Sequence, residues 1–400
     1  MKTSFKKIIS FVLAAAMLVG CAAMLASCGK NYTADNTAFY LGATGPLTGD
    51  NAQYGVSVRN GAQLAVDEIN AKGGLNGINF YFDMKDDKCL PADAQTGYNI
   101  LLEDGMQAAL GSVTSGACEG FCALAAEDGV FAMSPSASAA DIIKDRPTVF
   151  RSCFGDPDQS KIAADKIVNE YKYQKIGVIY DSSDTYSKGL YDAFVEAMNG
   201  YGYEVYNPEV HDKEEAKDVK TFKVQSFTTE NKTSFGTQVD ALKECDVIFL
   251  PIYADEAFLV VDECVKAGCN AALFGCDGLD GVAAKIAKAG LSVTNAISYI
   301  TPFDVNSTEE KVASFVNAYK AKYNAEPDQF AAGAYDTVWA IYEAMKKANV
   351  TDVTISAADL GAILVDVFTS DDFSYDGVTG NIKWDESGAP TKDPKIVYAN

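Results

Sequence analysis

From residue 39 onward, short apolar runs alternate with longer amphipathic segments. The runs 39–43, 78–85, 108–111, 130–133, 175–180, 203–210, 247–251 and 272–274 have the length and the Val/Ile/Phe/Ala content of buried strands. Between them, 54–72, 92–103, 117–128, 159–171, 187–199, 235–243 and 256–267 read as helices, the first stopped by Gly73-Gly74. Two later helices show clear stripes: Val312, Phe315, Val316, Tyr319 and Tyr323 on one face, and Phe330, Ala334, Val338, Ile341, Tyr342 and Met345 on another. An acidic, lysine-rich stretch, 211–220, reads as a loop. The chain closes with a predicted β-hairpin of 379–384 and 395–398 around a turn at 385–388. Strands alternating with helices in this way predict an α/β protein with doubly wound parallel sheets, covered by helices on both faces. Ligands of such sheets bind beyond the carboxyl ends of the strands, which singles out the loops 44–55, 112–117, 134–139, 181–187, 252–256 and 276–281.

The first residues follow another pattern. Lys2, Lys6 and Lys7 precede an apolar run over 8–19, and small residues then lead to cysteine. This is the pattern of an export signal, too short and wrongly flanked for a permanent membrane span. Cys21 and Cys28 both sit in lipobox-like contexts. Cys28 is favoured, because Gly29, Lys30 and a polar tether to residue 36 follow it, whereas cleavage before Cys21 leaves an apolar stub. The expectation is a signal peptide over 1–27, lipidation of Cys28, a tether over 28–36 and an extracytoplasmic protein held at the membrane by its lipid alone. Ordinary secretion with a chance cysteine is the plainer alternative.

Composition narrows the chemistry. Of 400 residues, 55 are Asp or Glu, 33 are Lys or Arg and one, His211, is histidine, for a formal charge of −22. Such a surface repels nucleic acid and anionic lipid. A single histidine argues against His-rich metal sites and Ser-His-Asp or Cys-His catalysis. No nucleotide-phosphate loop, HExxH, GxSxG or EF-hand pattern is present, so neither a cofactor, a metal nor an enzymatic activity is expected. Export permits disulfides among Cys89, Cys118, Cys122, Cys153, Cys245, Cys264, Cys269 and Cys276. The length after the leader suits two domains.

The strand-end loops carry the remaining chemistry. Thr114-Ser115-Gly116 opens a predicted helix and offers a hydroxyl and free amides to a carboxylate. Ser134-Pro135-Ser136-Ala137-Ser138 adds more of both. Asp277 is a lone acid at a strand end, able to balance an ammonium, and Tyr54, Tyr186, Tyr253 and Phe330 can form apolar walls. Each also has a plainer reading, as helix cap, turn residue or packing.

Taken together, Gly42-Ala43-Thr44-Gly45-Pro46-Leu47-Thr48-Gly49, Asn60-Gly61-Ala62, Asp67-Glu68-Ile69-Asn70-Ala71-Lys72-Gly73-Gly74, Asp86-Asp87, Ser134-Pro135-Ser136-Ala137-Ser138, Phe150-Arg151 and the terminal Gly380-Asn381-Ile382-Lys383-Trp384-Asp385 resemble the leucine/isoleucine/valine-binding protein family. These are substrate-binding proteins of ABC importers with the periplasmic-binding-protein type 1 fold. The resemblance implies two lobes joined by three crossovers with the ligand between them, the first lobe over 37–152 and 282–376 and the second over 153–281 and 377–400. It implies a branched-chain or other apolar amino acid as ligand and an ABC permease as partner, with a monomer as default. A same-fold binder of an amide, short peptide or aromatic acid, or a ligand sensor, is the alternative.

By the same resemblance, Ser115 binds the α-carboxylate, and the 136–138 loop supplies the Ala137 region's backbone amide and the hydroxyls of Ser136 and Ser138, where the family commonly has Thr for Ser138. Asp277 pairs with the α-ammonium where the best-known members carry the longer Glu. Tyr253 and Tyr186 serve the amino end from the second lobe, and Tyr54 and Phe330 line the side-chain pocket. The family disulfide implies a partner for Cys89. Its matching position is Thr114 here, so Cys118 or Cys122 is the substitute, with Cys89–Cys118 preferred and Cys245–Cys269 a weaker second bridge.

Overall fold

Parallel strands buried on both faces form the centre of each lobe. A computed structural model describes residues 37–213 and 218–399, so the signal peptide, Cys28 and the tether lie outside the described residues. The first sheet contains β1 (Ala38–Gly45), β2 (Asn79–Asp86), β3 (Ala108–Ala109), β4 (Ala132–Ser134) and β5 (Val149–Arg151), ordered β2-β1-β3-β4-β5 and wholly parallel. The second contains β6 (Ile176–Asp181), β7 (Tyr203–Val205), β8 (Lys220–Phe227), β9 (Val247–Leu250), β10 (Ala272–Gly275), β11 (Ile297–Thr301) and β15 (Lys395–Tyr398). Its order is β15-β11-β10-β9-β6-β8-β7, parallel except for β15. Every residue of β9 and β11 is buried, as the apolar content of a two-sided parallel strand requires.

In each sheet the strand order reverses beside the first strand: between β1 and β3, and between β6 and β9. A crevice opens at such a reversal, outside the carboxyl ends of the strands. The chain passes between lobes at 151–156, 301–310 and 391–395.

Helix packing completes the first lobe. The helix Ala52–Ala71 lies so close to Gln329–Lys347 that a Cβ on Gly61 would stand 2.0 Å from the Ala331 carbonyl oxygen. Only glycine permits that approach. Phe368, from the helix Ala357–Phe368, stacks on Phe131 at 5.1 Å.

Several expectations are corrected. β11 lies within 282–376, the segment assigned to the first lobe, yet it pairs with β10 in the second sheet, so the chain leaves that lobe after residue 301. The terminal hairpin does not form as drawn. β13 (Gly380–Trp384) pairs with β12 (Tyr375–Gly377) and β14 (Pro390–Thr391) in a small separate sheet, while β15 joins β11. β13 packs on the first lobe, with Trp384 against Phe368 and its Nε1 donating to the Arg151 carbonyl at 2.8 Å. The strand over 203–210 stops at Val205, because Asn207 caps a short helix, Pro208–His211.

All eight described cysteines are free thiols. Cys118 faces Cys122 one helical turn on, Sγ to Sγ 3.4 Å, and the Cys89 Sγ accepts a hydrogen bond from Asn51 Nδ2 at 3.6 Å. Neither Cys89–Cys118 nor Cys245–Cys269 is a bridge. Among the described residues no helix is long and apolar enough to cross a membrane.

Candidate ligand-binding site

The site is built from strand ends of both lobes. Tyr54, Ser115, Ser136, Tyr186, Tyr253, Asp277 and Phe330, together with Val113, Thr114 and Gly278, line one small cavity of about 10 Å³. Seven of the nine proposed ligand contacts therefore meet at one place. Ala137 and Ser138 are buried beside it but do not line it. The Ala137 N–H is already given to Ser134 Oγ at 2.9 Å, and the Ser138 hydroxyl finds no hydrogen-bond partner among the described residues.

One end of the cavity is a helix start. The helix Ser115–Glu127 has Thr114 at its N-cap, with no side-chain cap hydrogen bond. First-turn amides and the dipole favour negative charge at such an end. Among the described residues the buried Thr114 Oγ1, beside the Cys89 thiol, meets no hydrogen-bond partner, and the Ser115 Oγ accepts just one long hydrogen bond, 3.3 Å from the Ala139 N–H. The Ser136 hydroxyl is taken up nearby, donating to the Val113 carbonyl at 2.7 Å.

The same cavity is also lined by Asp277, just past β10. Its Oδ1 accepts from Tyr186 OH at 2.7 Å, Gly278 N–H at 3.0 Å and Gln159 Nε2 at 3.1 Å. All three donors converge on one oxygen; among the described residues Oδ2 takes no hydrogen bond. Burial pushes the Asp277 carboxyl up to about 6, against the opposing pull of those donors. Such a group holds its charge at neutral pH and gains from a cation brought to Oδ2.

Four rings form the wall. Phe330 lies 4.6 Å from Tyr54, Tyr54 lies 5.5 Å from Tyr253, and Tyr253 stacks on Tyr186 at 4.9 Å. The Tyr54 hydroxyl bridges the lobes: it donates to the Gly278 carbonyl and accepts from the Ala254 N–H, both at 2.8 Å. The space these residues leave is about 10 Å³, so a ligand the size of an amino acid enters only as they part.

Two glutamines absent from the sequence-derived site fix Asp277 in place. Gln159 grips it twice, its Oε1 accepting from the Asp277 N–H at 3.0 Å while Nε2 holds Oδ1. Gln329 Nε2 donates to the Asp277 carbonyl at 2.9 Å. A glutamine in a helix carries no local signal of such a role. Asp156 is also deeply buried, its carboxyl raised to about 8 by burial, with the Ser138 hydroxyl beside it.

Comparison with known proteins is consistent across the chain. A family model described as periplasmic binding protein matches residues 39–397. The Leu/Ile/Val-binding protein BraC3 of Rhizobium johnstonii is 28% identical over 360 residues, 90% of each chain. The crystal structure of LivJ, a branched-chain amino acid transporter substrate-binding protein of Streptococcus pneumoniae in complex with isoleucine, superposes with a TM-score of 0.75 at 27% identity, covering 90% of this chain and 95% of that one. A solute-binding protein of a Rhodopseudomonas palustris ABC transporter, in complex with 3,4-dihydroxybenzoic acid, gives a TM-score of 0.75 over 90% of this chain and 93% of its own. At 17% identity that second likeness speaks to the fold.

Proposed function

Because the chain belongs to the periplasmic binding protein family, we propose that it is the extracytoplasmic substrate-binding protein of an ABC importer, closing its lobes over an apolar amino acid and handing it to a membrane permease. The observation that carries this reading is the polarity of the cavity. A helix start, with a Thr114 hydroxyl that meets no hydrogen-bond partner among the described residues, and the Asp277 carboxylate, whose Oδ2 takes none among them either, line the same cavity. A zwitterion needs donors at one end and an acceptor at the other, since a buried unpaired charge is costly. Between these ends Tyr54, Tyr253, Tyr186 and Phe330 supply apolar surface, each ligand methylene contributing about 0.8 kcal/mol on burial.

In this scheme Thr114 and Ser115 hold the α-carboxylate and Asp277 the α-ammonium. Ser136 and the Ala137–Ser138 backbone shape the floor, and the four rings select the side chain. The protein binds without catalysing a reaction, acts as a monomer, and is anchored through a lipid on Cys28 after removal of residues 1–27. The lobes are assigned as 37–152 with 302–391, and 153–301 with 392–400.

A thermal-shift screen of the mature protein against the amino acids tests the reading. Ligand that binds only the folded state raises the melting temperature, by about 2.7 kcal/mol of stabilisation at a hundredfold excess over Kd. Leucine, isoleucine or valine is expected to give the rise. A rise with 3,4-dihydroxybenzoate and none with any amino acid overturns it.

A further inference from the structure

The first lobe grips one short turn of the second. That turn, Asp277–Asp280, follows β10 of the second sheet. Three hydrogen bonds reach it from the first lobe: Tyr54 OH to the Gly278 carbonyl at 2.8 Å, Gln329 Nε2 to the Asp277 carbonyl at 2.9 Å, and the Gln329 N–H to Asp280 Oδ2 at 3.1 Å. Their donors stand on the helices Ala52–Ala71 and Gln329–Lys347, which meet closely at Gly61 and Ala331. The turn is also braced within its own lobe. Tyr299 of β11 donates to Asp280 Oδ1 at 3.0 Å, and Gln159 holds both the N–H and the carboxylate of Asp277. It is thus fixed in one lobe and gripped by the other.

Asp280 completes a helix start that belongs to the opposite lobe. First-turn amides have no acceptor within their own helix. Asp328 caps the Gln329–Lys347 helix from its own lobe, its Oδ1 accepting from the Ala331 N–H at 2.9 Å while Ser57 Oγ donates to its Oδ2 at 2.6 Å. The Gln329 N–H is given to Asp280 instead. There the acid also meets the positive end of a 19-residue helix dipole. When the lobes part, both Gln329 contacts pass to water. A second charged contact between the lobes, Lys232 with Asp50 at 3.2 Å, is a weaker tie, because the Asp50 side chain is 67% exposed.

Neither Asp280 nor Gln329 lines the small cavity. We infer that both are positioning residues: with the Asp277–Asp280 turn they form a latch that holds the lobes shut over a ligand, and they set its affinity without touching it. The turn carries the ammonium-binding acid at one end and the latch at the other, so a cation on Asp277 and the grip of the first lobe steady the same four residues. The inference deepens the amino-acid reading and rests on it for its ligands. A latch sets the share of protein in the closed, binding-competent form, and apparent affinity scales with that share. Its loss weakens every ligand by one common factor, whatever the side chain, and shows in the dissociation rate.

Calorimetry and stopped-flow dissociation on the mature protein with leucine, isoleucine and valine test it. Asp280→Ala is expected to weaken all three alike, by about tenfold, the usual cost of a hydrogen bond to a charged group, with a matching rise in dissociation rate. Asp280→Asn keeps an oxygen for the Gln329 N–H and is expected to recover part of the loss. Gln329→Leu, which gives up only the side-chain contact, is expected to show a smaller common loss and gives the second reading should Asp280→Ala fail to fold. Variants that bind all three as tightly as wild type, losses that differ from one ligand to the next, or an Asp280→Asn no better than Asp280→Ala overturn the latch and leave the amino-acid reading standing. If wild type binds none of the three, the failure belongs to that reading, and small-angle scattering of ligand-free protein decides the latch by itself. A radius of gyration larger in Asp280→Ala than in wild type then supports it, and equal radii overturn it.

Discussion

Gln159 uses both ends of its amide on Asp277, and that clamp determines which carboxylate oxygen remains for a ligand. Removing the acid and removing the clamp should therefore differ. Asp277→Ala is expected to weaken amino-acid binding about a hundredfold, within the range for truncating one partner of a buried charge pair. Gln159→Leu, which leaves the charge but frees it to turn, is expected to cost about tenfold, a typical cost of one hydrogen bond to a charged group. Calorimetry on the two variants separates them, and equal, negligible losses would remove Asp277 from the site. Asp280 is a poor control for this comparison, because its carboxylate accepts from the Gln329 N–H at 3.1 Å and from Tyr299 OH at 3.0 Å. The raised Asp277 carboxyl also sets a pH dependence. Ligand ammonium stabilises the carboxylate, so the bound form has the lower pKa and binding releases a proton near pH 6. Affinity is expected to be level above that pH and to fall below it by up to about tenfold per unit; affinity unchanged between pH 7 and pH 5 would contradict the assignment. Asp277 was legible as a lone acid at a strand end. Gln159 was not, since it lies 118 residues away and only the fold brings it near.

At the level of elements, strong periodicity was readable and weak or borrowed order was not. The helices Ala52–Ala71 and Pro91–Glu103 fall within two residues of their predicted ends. β8 escaped because Phe222, Val224 and Phe227 are its only apolar residues, scattered among Lys220, Thr221, Lys223, Gln225 and Ser226, and its partners β6 and β7 supply the order that its own pattern lacks. β11 escaped because its run reads ISYIT, with Ser298 and Thr301 buried among apolar neighbours. The helix expected over 159–171 starts earlier, at Asp156, and loosens into a wider turn over Lys166–Glu170. Gly61 marks the contact between two helices whose separation no single-helix pattern predicts. Gly61→Ala would force its methyl against the Ala331 backbone, so a loss of about 1–3 kcal/mol is expected in urea unfolding, as for overpacking elsewhere. A loss below about 0.5 kcal/mol, the usual surface value, would show that the helices slide apart freely.

For the whole molecule, buried acids and net charge act together on stability. Folding raises the carboxyls of Asp156 to about 8 and of Asp184 and Asp277 to about 6, mainly through burial. Between the unfolded value near 4 and these folded values, the folded chain holds more protons than the unfolded one, so its stability falls as pH rises through the window. The formal charge of −22 works in the same direction through self-repulsion. Ligand-free protein is expected to melt at a higher temperature at pH 5.5 than at pH 8.0, while the rise produced by amino acid runs the opposite way. A melting temperature that climbs from pH 5.5 to 8.0 would sink this account. By itself the sequence determined the class of fold, and it singled out the strand-end loops and most of the side chains that line the small cavity, because those follow from local periodicity and from which residue types end a strand. The tertiary structure alone decided that β11 belongs to the second sheet, that the terminal strands split between lobes, that the cysteines stay unpaired, and that Asp277 offers one oxygen between two glutamines. Each of these depends on contacts between residues far apart in the chain, where the balance of burial and hydrogen bonding is struck only once both partners are in place.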